Sequence, residues 1–261
     1  MQLAMVLISL VACSSAPAAA AAMQQADAES DARAAGPYEA ALAEIEATRL
    51  ALAGRLDHAQ DDAGRAAVRV AARAAALTAM REVVLPAWLG MPWGLGPTST
   101  PLRPHQAGTV IACGYFVSST LENLGLRLDT RFRFAQAPAL HAQRSLAPAP
   151  DDLHVFFSIP GEELAQKIAA LGEGLYIIGL NNHIGYVDVR DEQVRIIHAS
   201  YTDRQVVIDE PLATAEVIAN SRKAGYFVTP VLQDDRLIER WLRGQTVPLQ
   251  VLGPRGGDGA R

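Results

Sequence analysis

The stretch GLYIIGLNNHIGYVDVRDEQVRIIHAS, residues 174–200, contains three β-rich runs separated by polar turn residues. The runs cover 175–180, 183–189 and 194–198, and residues that favour turns bound each of them. Because a tight turn joins antiparallel neighbours, the stretch predicts an antiparallel sheet. Two later β-rich runs, 206–208 and 226–232, are expected to extend it.

A helix with a cysteine at its start precedes this sheet. After Cys113, the residues Phe116, Val117, Thr120 and Leu121 recur at helical spacing. Unpaired backbone N–H groups and the positive end of the helix dipole favour a thiolate at a helix N-terminus. The sequence therefore predicts an α+β fold in which a reactive thiol begins the helix.

Composition limits the function classes. The chain has 261 residues, of which 50% are hydrophobic and 20% are charged, as in a soluble globular protein. The formal net charge is −5, and Lys and Arg form no concentrated cluster. A nucleic-acid partner is therefore not expected, since a phosphate-binding surface needs concentrated positive charge.

The chain divides into five predicted segments. Residues 1–12 are almost entirely apolar but too short to span a bilayer, and 13–37, rich in Ala, Gln, Asp and Ser, are expected to form a flexible linker. Residues 38–84 show the apolar spacing of a helical pair, 85–252 form the main domain, and 253–261 are expected to be a disordered tail.

A basic stripe marks the second member of the predicted helical pair. Arg65, Arg69 and Arg73 recur at helical spacing. Such a stripe is usually a solvated face, and the alternative is contact with an anionic polymer or lipid.

Two histidines lie in the β-rich runs. Antiparallel pairing brings His198 alongside His183. A nucleophilic thiol needs a base to take its proton and a third group to orient that base, and Cys113, His183 and His198 suit these three roles. Alternatively, Cys113 is a small buried hydrophobe. A zinc site is also conceivable, but no nearby carboxylate or CxxC spacing supports it, so no metal or cofactor is expected.

The N-terminus resembles that of exported bacterial lipoproteins. Leu10-Val11-Ala12-Cys13 is similar to a lipobox, which implies cleavage before Cys13 and a lipid anchor on that residue. The serines at 14 and 15 then imply an outer-membrane lipoprotein facing the periplasm of a Gram-negative bacterium. The alternative is a plain signal peptide cleaved within 16–22. Both alternatives place the main domain outside the cytoplasm.

Residues 88–208 resemble the NlpC-type peptidoglycan cysteine peptidases, which have a papain-like fold. The resemblance rests on the helix that starts at Cys113, on His183-Ile184-Gly185-Tyr186, and on Ile197-His198-Ala199-Ser200. It implies that Cys113 is the nucleophile, His183 the base and His198 the orienting residue. The family usually has Asp before and Ser after the cysteine, whereas this chain has Ala112 and Gly114.

Further site residues are predicted around the cysteine. The loop 85–96, which carries Trp88 and Trp93, is expected to form one wall of the site. Gln106 is a candidate oxyanion donor in the papain manner, beside the backbone N–H of Cys113. Gly114 and Tyr115 complete the candidate residues for binding the substrate or the oxyanion.

Together these features predict an exported cysteine hydrolase, tethered to a membrane, that cleaves an amide bond in peptide stems of peptidoglycan. One alternative is a papain-like amidase or acyltransferase that acts on a lipid or small molecule, with its acyl chain beside Trp88 and Trp93. The other is a non-catalytic envelope-binding lipoprotein whose working surface is the helical pair.

Overall fold

The computed structural model describes residues 16–147, 149–202 and 204–251, with side chains described from residue 36. The predicted signal peptide 1–12, the predicted lipidation site Cys13 and the tail 253–261 lie outside the described residues.

Helices account for the larger part of the described chain. Their bounds are α1 Ala16–His58, α2 Asp62–Ala79, α3 Leu85–Trp88, α4 Cys113–Asn123, α5 Arg131–Gln136, α6 Ala139–Leu146, α7 Gly161–Ala169, α8 Glu216–Ser221 and α9 Asp235–Leu242. A π-helical turn, Met80–Val84, joins α2 to α3, and short 3₁₀ helices cover Pro150–Asp152 and Leu212–Thr214.

The segment predicted as a flexible linker, 13–37, is helical in the structure from Ala16 onward as part of α1. These residues offer little apolar surface for burial, which is why the sequence predicts a flexible linker. Alanine, however, has the highest intrinsic helix propensity, so an Ala-rich segment can be helical without a core to pack on.

Helices α1, α2 and α9 pack together, and their buried residues belong to the same core as those of α4. Arg69 and Arg73, two members of the basic stripe, form salt bridges with Asp235 of α9, and Arg69 Nη1 also donates to Glu239 Oε1 at 3.0 Å. These two arginines therefore join α2 to α9 and do not form a freely solvated stripe.

The strands form one large and one small sheet. Their bounds are β1 Arg127–Leu128, β2 His154–Phe156, β3 Gly174–Leu180, β4 His183–Arg190, β5 Gln193–Ala199, β6 Val207–Pro211, β7 Tyr226–Pro230 and β8 Thr246–Val247. The large sheet has the order β2-β7-β3-β4-β5-β6 and is antiparallel throughout, whereas β1 and β8 pair in parallel. The predicted α+β class and antiparallel sheet are confirmed.

The large sheet has a helical layer on each face. On one face α4 packs against β4 and β5, with α6 against β3, and Phe116, Tyr186 and Ile177 contribute to that core. On the other face α7 and α8 cover Val187 and Ile196. Alternation of side chains along each strand therefore supplies two cores.

None of the helices in residues 16–147, 149–202 and 204–251 is both long and apolar enough to span a bilayer.

Candidate active site

Cys113 is the first residue of α4, and its side chain is half-buried. The residue before it, Ala112, has extended backbone and provides no side chain that caps the helix. The first N–H groups of a helix have no partner within the helix itself. The amides of the first turn of α4 are therefore not occupied by a capping side chain next to the thiol.

Hydrogen bonds hold α4 in place over β4. Thr120 Oγ1 and Tyr186 Oη are 2.8 Å apart, and Tyr186 Oη donates to the carbonyl of Val117 at 3.2 Å. Thr120 and Tyr186 are both fully buried. The helix that begins with Cys113 is thus fixed to the strand that begins with His183.

A chain of hydrogen bonds crosses three neighbouring strands. His183 Nε2 on β4 lies 2.8 Å from His198 Nδ1 on β5, and His198 Nε2 lies 3.0 Å from Glu210 Oε1 on β6. Both imidazoles are buried, with His198 completely so, whereas the Glu210 side chain is 28% exposed. The structure therefore brings together the two predicted histidines and adds a carboxylate.

Gly185 makes room for this arrangement. A Cβ atom at Gly185 would lie 2.8 Å from His198 Cβ and 3.1 Å from the carbonyl oxygen of Ile197. Real Cβ atoms avoid such contacts, so a larger residue would displace the His198 ring. Close packing against His198 and Ile197 therefore explains why residue 185 of the His-Ile-Gly-Tyr segment is a glycine.

Cys113 and His183 are the first residues of α4 and β4, two elements that pack against each other. The backbone of Ile184, the residue after His183, lowers the pKa of the Cys113 thiol. His183 Nδ1 is buried and has no hydrogen-bond partner among the described residues. Among the described residues, no hydrogen bond joins the thiol to the imidazole.

Burial controls the protonation of both groups. Desolvation raises the pKa of the Cys113 thiol, and hydrogen bonds from the backbone of Ile184, Gly114 and Cys113 offset only part of this. Desolvation also lowers the pKa of His183 to about 3, with repulsion from His198 as the smaller cause. The expectation that the helix N-terminus favours a thiolate is thus corrected, because burial disfavours the charged form more strongly. The resting pair is a neutral thiol and a neutral imidazole.

Aromatic side chains surround the histidine side of the site. The Tyr201 ring lies 5.2 Å from the His183 ring and 6.3 Å from the Trp93 ring, measured between centroids. Trp93 is half-buried and pairs with Ile111, two residues before the cysteine. Trp88, in contrast, is fully buried against Phe116, so it packs in the core and does not form a wall of the site as predicted.

The other predicted residues have different positions. A Cβ at Gly114 would lie only 1.9 Å from the carbonyl oxygen of Ala135, so glycine is needed where α5 crosses the start of α4. Tyr115 Oη accepts a hydrogen bond from Gln136 Nε2 at 2.6 Å. Gln106 is exposed, and its carbonyl accepts hydrogen bonds from Thr109. In the described part of the chain, no side-chain hydrogen bond connects Gln106 to the site.

Sequence reasoning missed Glu210 and Tyr201. Cα pairing places Ile208 opposite His198, so Glu210 is two residues further along β6 and on the same face. The alternation Ile208, Glu210 at the end of the predicted run 206–208 is a signal that could have identified the carboxylate. Tyr201 follows the Ile-His-Ala-Ser segment directly in sequence.

Comparison of this chain with protein-family models, with curated proteins and with solved structures found no match.

Proposed function

We propose that this protein is a cysteine hydrolase that cleaves an amide bond, with Cys113 as the nucleophile, His183 as the base and His198 as the residue that orients the base. The observation that carries the proposal is the state of His183. Its Nε2 is held by His198, whereas its Nδ1 is buried without a partner among the described residues, and the strand that it begins packs against the helix that begins with Cys113. A structural histidine in a core normally has its polar atoms satisfied.

The proposed reaction is acyl transfer through a thioester. Cys113 Sγ attacks the amide carbonyl while its proton moves to His183 Nδ1, and backbone N–H groups at the start of α4 stabilise the oxyanion. The imidazolium then protonates the leaving amine as the C–N bond breaks. Water hydrolyses the thioester with His183 again as the base, which regenerates the thiol.

The neutral resting state makes the proton transfer part of the attack. A thiol whose pKa is raised by desolvation does not ionise by itself at neutral pH, and an imidazole with a pKa of about 3 is uncharged there. The imidazolium and the oxyanion therefore form together as the carbonyl is attacked. The oxyanion stabilises the imidazolium, and the helix N-terminus stabilises the oxyanion.

Peptide stems of peptidoglycan are the proposed substrate. The choice rests on the likeness of the Cys113, His183 and His198 segments to the NlpC-type peptidases and on the predicted export signal. The papain-like core is part of the same proposal. It is supported by a helix that begins with the thiol and packs on an antiparallel sheet that carries both histidines.

Digestion of purified sacculi tests the proposal. We expect the protein to release new amino groups from stem peptides, and mass spectrometry of the muropeptides identifies the bond. His183→Gln serves as the inactive comparison, and His58→Gln, an exposed substitution in α1, as the active one. If the protein releases no amino groups from sacculi but cleaves an N-acylated lipid, the substrate is a lipid amide and not peptidoglycan. Inertness towards both would contradict the proposed function.

A further inference from the structure

We infer that Glu210 is a positioning residue that fixes the tautomer of His183, and so makes Nδ1 of His183 the basic nitrogen of the site. The inference deepens the proposed function and rests on it for its catalytic consequence. Its structural part rests on the juxtaposition of His183, His198 and Glu210 across three adjacent strands.

The hydrogen bonds fix the position of each proton, starting from Glu210. A carboxylate oxygen accepts a hydrogen bond from an imidazole N–H, so the contact of 3.0 Å places a proton on His198 Nε2. At a pH where His198 is neutral, its imidazole carries one proton, so His198 Nδ1 is then an acceptor. The contact of 2.8 Å in turn requires a proton on His183 Nε2.

The consequence of these hydrogen bonds appears at His183. A neutral His183 with its proton on Nε2 has a lone pair on Nδ1, which is the buried nitrogen without a partner. A lone pair at that position can accept a proton, as the proposed function requires, whereas an N–H there cannot. Glu210 thus acts on the reacting atoms through two imidazoles without contacting them.

The residues around Glu210 leave its carboxylate available to accept the hydrogen bond from His198. In the described residues, His198 is the only cationic or imidazole side chain within salt-bridge distance of Glu210. The neighbouring Asp209 is instead paired with Arg195, at 2.7 Å between Oδ1 and Nε. His198 is fully buried, so bulk water does not compete with the carboxylate for its Nε2.

Glu210→Gln tests this directly. The amide keeps the size of the side chain but adds an N–H₂ donor, so it permits the reversed chain, in which His183 carries its proton on Nδ1. The matched control is Asp209→Asn, the same chemical change one residue earlier, at a side chain of similar exposure, 34% against 28%.

The first readout needs no substrate. Two-bond proton–nitrogen correlation spectra of the imidazoles at pH 8 show which ring nitrogen carries the proton. We expect His183 to be protonated on Nε2 in the wild type and in Asp209→Asn, and to gain the Nδ1–H tautomer in Glu210→Gln. His183 protonated on Nδ1 in the wild type, or an unchanged tautomer in Glu210→Gln, would overturn the inference.

The second readout is hydrolysis of the substrate bond. Glu210→Gln is expected to lower kcat about 100-fold with KM nearly unchanged, because general-base assistance is lost while binding is kept. Asp209→Asn is expected to keep the wild-type kcat. A tautomer that changes as expected in a protein without any hydrolytic activity would contradict the proposed function and leave the role of Glu210 in place. Unchanged kcat in Glu210→Gln would show that Glu210 does not serve catalysis.

Discussion

Cys113→Ala is expected to lower amide hydrolysis by at least about 10⁴-fold, because it removes the only proposed nucleophile of the reaction. The remaining groups, a neutral imidazole and backbone amides, can polarise a carbonyl but cannot form a thioester. The measurement is the rate of amine release from muropeptides, with wild-type protein purified in the same way as the reference.

The same substitution should leave the fold nearly intact. Cys113 is half-buried, so replacing its thiol group by a hydrogen leaves only a small volume unfilled. We expect the free energy of unfolding to change by less than about 1 kcal/mol, which thermal unfolding checks. A Cys113→Ala protein that keeps its hydrolytic rate, with its fold unchanged, would contradict the proposed mechanism.

The second large effect concerns the stability of the protein in acid. The pKa of His183 is about 3 in the folded protein, below the value of about 6.5 expected for the unfolded chain. Between these values the unfolded chain binds a proton that the folded protein does not bind. The stabilisation is therefore fully present above pH 6.5 and is lost as the pH falls towards 3.

The expected size of this loss is about 3 kcal/mol between pH 7 and pH 4, at about 1.4 kcal/mol per pH unit below 6.5. Carboxylates also titrate in this range, so the informative quantity is the difference between the wild type and His183→Gln. Urea unfolding at half-unit steps of pH gives the two curves. We expect them to converge as the pH falls, and parallel curves would show that His183 is not buried in its neutral form.

The parts of the fold that depend on residues close together in the chain can be predicted from the sequence. Alternating residues and two short turns predict β3, β4 and β5, because each hairpin is specified by residues close together in the chain. The start of α4 at Cys113 follows from helical spacing. His183 and His198 were expected to meet for the same reason, since one hairpin joins their strands.

Longer-range features were not readable in this way. Strand β7 lies between β2 and β3 although 46 positions separate residue 226 from residue 180, and no local pattern specifies that order. The carboxylate of Glu210 enters the site from β6 through strand register. The raised pKa of the Cys113 thiol depends on how deeply the helix start is buried, which tertiary packing decides.

The packing role of Trp88 shows the same limit. A loop rich in Gly and Pro with two tryptophans indicated a wall of the site, but only Trp93 lies near the histidines, through Tyr201. Trp88 ends helix α3 and faces Phe116 in the core. Composition gives the aromatic character of such a segment, whereas the direction of each ring depends on the helix that the segment forms.

The most direct test of the central claim, that His183 acts as the base for Cys113, is the rate of alkylation of Cys113 by iodoacetamide from pH 5 to pH 10. The wild type should retain a pH-independent rate below the thiol pKa, because His183 takes the proton as the S–C bond forms. In His183→Gln we expect this plateau to disappear, leaving a rate that rises about tenfold per pH unit as the thiolate forms. Superimposable profiles for the two proteins would show that His183 does not act on the thiol, and would contradict the account.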